Sequence, residues 1–173
     1  MSCLEPSQIY RRHILSISHQ QPLPARPLTQ TGVTNLKRLW GLTFYVRADG
    51  TEIYIFEGTR SDTINAWSQI SIERDLAAVA EDRHLVCLYD LRGCALSPYA
   101  ALQGYETIQQ TPSAVRQSIA VITDNNAILR AMQSIVRRLT KPNLQQSILL
   151  FNDNASAEDW LNQRRAEIGF LSH

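Results

Sequence analysis

The sequence predicts an α/β protein: a mostly parallel five-stranded sheet with an antiparallel hairpin at its N-terminal edge and flanking helices. Three observations carry this. HLVCLYDL and SIAVIT are apolar almost throughout, as strands covered on both faces should be. Strand texts and helix texts alternate along the chain, which implies parallel pairing through crossovers. Aromatic and β-branched residues alternate on both sides of Asp49-Gly50, a strong tight-turn pair.

The elements follow in order. Residues 1–35 read as an N-terminal arm and linker, because HQQPLPARPLTQTG carries three Pro and a Gly in fourteen residues. Within the arm, SQIYRRHILSIS suits either a short helix or a short strand. The α/β pattern is expected over 36–173. A hairpin is expected at about 42–47 and 52–57. A helix follows, capped by Ser61 with Asp62 in its first turn. Ile72, Leu76, Val79 and Ala80 share its apolar face, and Ile64 and Trp67 fit that face less well. The Ile/Ser alternation at 70–72 leaves two shorter helices as the alternative. HLVCLYDL is the third strand. Ser97 then caps a helix with Pro98 in its first position, and Leu102, Tyr105 and Ile108 line one face until Pro112.

SIAVIT is the fourth strand. Ile128, Leu129, Met132, Ile135, Val136 and Leu139 stand at helical spacing up to Lys141-Pro142. SILLF is the fifth strand. The closing helix is capped at Ser156, turns Ala157, Trp160, Leu161 and Ile168 inward, and has Gly169 just past its end.

At 173 residues, 44% of them hydrophobic, the chain suffices for one core. Its net charge of +1 and dispersed Arg pairs, Arg11-Arg12, Arg137-Arg138 and Arg164-Arg165, argue against a nucleic-acid partner. Of the 17 cations only Lys37 and Lys141 are lysines. Three Cys without a C-x-x-C pair argue against a disulfide framework. Cys87 reads as a core thiol, and Cys94, after a turn Gly, as an accessible one. The four His have no metal-ligand spacing. No cofactor is expected. No apolar run reaches the roughly 18 residues of a membrane span. The opening MSCLEPSQIYRRHILSISH is a poor signal peptide, so a soluble cytoplasmic protein is expected. G-x-S-x-G, H-E-x-x-H and P-loop motifs are absent from the sequence.

Over about residues 38–169 the chain resembles the STAS/SpoIIAA-like superfamily. That superfamily includes anti-sigma-factor antagonists, stressosome subunits and the cytoplasmic ends of sulfate transporters. The resemblance rests on the order and spacing of IYIFEG, LVCLYDLRG, SIAVITDN and ILLFNDNASAEDWL. It implies a non-enzymatic regulatory module that binds another protein, with a small-molecule or lipid carrier as the alternative. A homodimer is a further alternative. In the antagonists, an Asp-Ser pair carries the phosphorylated residue at the start of the helix after the central strand. Here that place reads CALSPYAAL, with Leu96 before Ser97 and Pro98 after it.

Open parallel sheets place function at the carboxyl ends of their strands. Three strands end there in Asp90 and Arg92, in Asp124 and Asn125, and in Asn152 and Asp153. Together with Ser97, these residues are the candidate switch or binding edge, and caps and turns are the plainer use for them. A weaker third reading is an enzyme using Asp90, Arg92 or Cys94. Trp67, Tyr99 and Tyr105 are the candidate lining of an apolar pocket beside the sheet.

Overall fold

The computed structural model describes residues 33–95, 97–125, 128, 130 and 146–171. In chain order these form β1 (Val33–Leu39), β2 (Leu42–Arg47), β3 (Glu52–Phe56), α1 (Ser61–Ala80), β4 (His84–Asp90), α2 (Pro98–Gln110), β5 (Arg116–Ile122), β6 (Gln146–Phe151) and α3 (Asn154–Leu171). The sheet order is β1-β2-β3-β4-β5-β6. The first three strands are antiparallel and β3 to β6 are parallel. The α/β class and the hairpin are therefore observed. The arm over 1–32 lies outside the described residues. So does most of the helix expected at 128–139, of which Ile128 and Arg130 are helical.

The sheet has six strands rather than five. The extra strand, β1, starts at Val33, ahead of position 36 where the pattern was expected to begin. Its text, VTNLKRL, is mostly exposed and lacks apolar alternation. Pairing with β2 makes it a strand, and the charged side chains Lys37 and Arg38 suit an outer edge. Trp40 and Gly41 both have positive φ, 46° and 82°, and close the two-residue turn between Leu39 and Leu42. At the second hairpin, Asp49 caps the turn by accepting from Thr51 N at 2.9 Å.

The strands alternate strictly between two faces. Phe44, Tyr54, Phe56, Leu85, Cys87, Ile119 and Val121 pack with Ile64, Ala66, Ile70 and Ala78 of α1 and Ala100 of α2. Ile53, Val86, Leu88, Ala120 and Ile122 pack with Ala157 and Leu161 of α3. The closing helix buries Ala157 and Leu161 as expected, and Trp160 and Ile168, only partly buried, pack against the same cluster.

The faces of α1 and α2 differ from expectation. The first is one unbroken helix, and Ile64, Ala66, Ile70 and Ala78 are buried while Leu76 and Val79 are exposed. On α2, Ala100 and Thr107 are buried, and Leu102 and Tyr105 point outward. The physical reason is that polar groups cross-link the two helices. Ser68 Oγ lies 2.8 Å from Thr107 Oγ1, and Thr111 donates to Asp75 at 3.1 Å. Buried polar residues with partners erase the apolar stripe that the periodicity sought.

The caps also shift. Ile64 N donates to Arg60 O, so Arg60 and not Ser61 precedes the first turn of α1. Asp153 accepts from Ser156 N at 2.8 Å and so caps α3, which starts at Asn154 and runs through Gly169.

Candidate functional site

The carboxyl edge is assembled as expected, but it is occupied with itself. Asp90 ends β4 and takes Arg92 Nε at 2.9 Å, Arg92 Nη2 at 2.5 Å and Arg92 N at 3.1 Å. The Arg92 side chain holds the Asp90 carboxyl below its ordinary range. Asp124, beyond β5, accepts from Gly93 N at 3.1 Å and fastens the turn after β4. That turn requires glycine, since Gly93 has φ 72°. Asn125 Nδ2 donates to Cys94 O at 3.0 Å, and Ile128 N donates to Asn125 Oδ1 at 3.4 Å. Asp153 accepts from the backbone and hydroxyl of Ser156, which lowers its pKa.

Ser97 is the N-cap of α2. Its Oγ accepts from Ala100 N at 3.1 Å and donates to Thr59 O at 3.2 Å. A phosphate on Ser97 would replace the hydroxyl that donates to Thr59. Cys94 is buried, contrary to its expected exposure, because its thiol turns inward and donates to Phe56 O at 3.4 Å. Burial raises the thiol's pKa. His84 opens β4 and Cys94 follows its far end, so β4 separates the two. Among the described residues, no group of three His, Cys, Asp or Glu could hold a metal ion.

The second candidate region is a cavity of about 120 Å³ between the sheet and α1 and α2. Its aromatic wall is Phe56, Trp67 and Tyr89. The Trp67 and Tyr89 rings stand edge to face at 6.1 Å, and the Phe56 and Tyr89 rings lie 6.3 Å apart. Ile119, Val121 and Ile148 form its floor, and Ala100, Ala101 and Gly104 of α2 its roof. The roof explains the space: three small residues face large rings, and among the described residues nothing fills the difference.

Of the three residues expected to line a pocket, Trp67 does so. Tyr99 and Tyr105 do not, because they stand on the outer side of α2. Tyr99 instead donates to Asn65 Oδ1 at 2.5 Å. Sequence reasoning missed Phe56, Ser71, Asp75 and Tyr89. Tyr89 was legible as a large residue on a two-sided strand, but its face depends on register.

One corner of the cavity is polar. Asp75 is 5% exposed, and burial pushes its carboxyl up to about 6 against the pull of the Thr111 hydroxyl. Trp67 Nε1 and Ser71 Oγ both approach the Tyr89 phenol closely enough to pull its pKa down by hydrogen bonding, and among the described residues neither has a well-aligned partner. Burial holds the Tyr89 hydroxyl well above its ordinary pKa.

A buried carboxylate below this corner was also missed. Glu52 is fully buried and receives Arg74 Nε and Nη2 at 2.8 and 2.6 Å, with Arg83 at 3.7 Å. Tyr54 donates to it at 3.3 Å from two residues on, but the two arginines stand 22 and 31 residues away, and no local pattern announces them. Among the described residues, no helix is long and apolar enough to cross a membrane.

Sheet, edge and cavity belong to an α/β protein with an apolar pocket between its sheet and α1 and α2. No family model matches the chain, and neither do curated proteins or solved structures.

Proposed function

We propose that this chain is a non-enzymatic binding module of the STAS/SpoIIAA-like type that takes up a small apolar molecule. The cavity under α2 carries the proposal. Interiors are close-packed, and a pocket of this kind leaves its apolar lining short of packing contacts that an occupant would supply. The volume also narrows the ligand. A cavity of roughly 150 Å³ accepts benzene, whereas sites for drug-sized molecules run from about 300 Å³ upward. A molecule of benzene size fits this volume.

A regulatory protein contact is the second reading, supported by Tyr99, Leu102 and Tyr105, which are exposed on the outer face of α2. The engaged state of Asp90, Arg92, Asp124 and Ser97 directs such a contact toward the helix rather than the polar edge. A ligand beneath α2 and a partner above it would act on the same helix.

The cavity reading is tested by filling it. A Cβ added at Gly104 meets no atom within 4 Å, and Gly104 lines the cavity, so Gly104→Leu is the filling variant. Toluene at about ten times its Kd should raise the melting temperature of the wild-type chain by about 3 °C, and leave Gly104→Leu unchanged. Circular dichroism checks that the variant folds. No shift in the wild type, or the same shift in both proteins, overturns the proposal.

A further inference from the structure

We infer that the cavity selects a small neutral ligand bearing an oxygen acceptor, which the Ser71 hydroxyl and the Trp67 indole N–H bind at its polar corner. This rests on the cavity reading above and specifies its ligand class.

Ser71 is only 7% exposed and lines the cavity, yet among the described residues its Oγ has no well-aligned partner, the Tyr89 phenol being the nearest polar group. Trp67 Nε1 is in the same position, one helical turn away on α1. Buried polar groups are otherwise almost always paired, and an unmet donor in an apolar site is costly. The indole N–H can only donate, so its missing partner must be an acceptor. The Tyr89 phenol beside both atoms adds a third polar group to the corner.

The rest of the lining disfavours an anion. An anionic ligand would face Asp75, which shares the cavity and already accepts from Thr111. A cation would leave the Trp67 donor unmet. The aromatic wall of Phe56, Trp67 and Tyr89 suits a flat hydrophobic body. The ligand class is therefore a small uncharged aromatic or aliphatic molecule with a hydroxyl or carbonyl oxygen.

Phenol, toluene and benzoate separate the contributions, because they share the ring and differ in the head. Calorimetric titration of the full chain should give phenol about three- to tenfold tighter binding than toluene, and weak or no binding of benzoate. Ser71→Ala should erase most of the phenol advantage and leave toluene affinity unchanged. In ¹H–¹⁵N spectra the Trp67 indole resonance, assigned by Trp67→Phe, should move downfield with phenol and not with toluene. If toluene binds but phenol gains nothing from Ser71, water serves these donors. The acceptor inference then falls and the cavity reading stands. Benzoate binding best would likewise overturn it. If none of the three binds, both readings fall.

Discussion

The two faces of the sheet are covered in opposite ways. Against α3, Ala120 and Ile122 meet Ala157 and Leu161, all fully buried. Small residues face branched ones, and the layers close. Against α1 and α2, the rings of Phe56, Trp67 and Tyr89 stand under Ala100, Ala101 and Gly104, and a cavity remains. Both faces are apolar and use the same strands with a period of two. The difference lies in how sizes are matched across the interface, and in the polar groups set between α1 and α2. One face is fully packed, and the other leaves a pocket beneath α2.

The contrast is most directly broken by truncation. Leu161→Ala on the closed face should cost about 3–4 kcal/mol in urea denaturation. Ile148→Ala, on the cavity floor, should cost less than half of that, because it widens a space already present. Equal costs would erase the distinction between the faces.

A smaller effect comes from the charge on the open face. The folded-state pKa of Asp75 is raised to about 6 from 3.8. Its contribution to stability is thus fully present below about pH 3.8 and lost as pH rises through about 6. Asp75→Asn should therefore be about 2–3 kcal/mol more stable than the wild type at pH 7 and equal to it near pH 4. The difference between the two proteins is the quantity to follow, because His84 titrates oppositely. Burial lowers His84 to about 4, and its contribution is present above pH 6.5 and lost as pH falls through 4. A stability difference that does not change with pH would place Asp75 in a more polar setting than its 5% exposure implies.

The smallest expected change is a gain. Gly104→Ala adds a methyl group in open space inside a helix and should stabilise the chain by about 0.5–1 kcal/mol in the same denaturation experiment. A loss would mean that the roof of the cavity is already closed.

Several parts of the site were legible in the sequence. The polar turns at Asp90, Asp124 and Asp153 were placed at the strand ends, and Ser97-Pro98 was read as a helix start. Their partners are a few residues away or at the ends of adjacent strands, so turn and cap chemistry predicts them. Trp67 was chosen for the pocket because it was large and stood in a helix. Tyr99 and Tyr105 met the same criterion and proved to be outside. The rotation of α2 is decided by Ser68 and Thr107, whose contact spans 39 positions. Tyr89, Ser71 and Asp75 carried no signal of their own. A Tyr in an apolar strand and a Ser in a helix are ordinary residues until register and packing bring them together.

By itself the sequence determined the α/β class, the hairpin at Asp49-Gly50, the parallel strands and the inward face of α3. These follow from short-range periodicity and turn preference, which act within a few residues of chain. Only the tertiary structure decided that VTNLKRL is a strand, which sides of α1 and α2 face inward, and that a cavity lies beneath Gly104. Those outcomes depend on pairing partners and on the match of side-chain sizes between distant segments, and no local pattern encodes either.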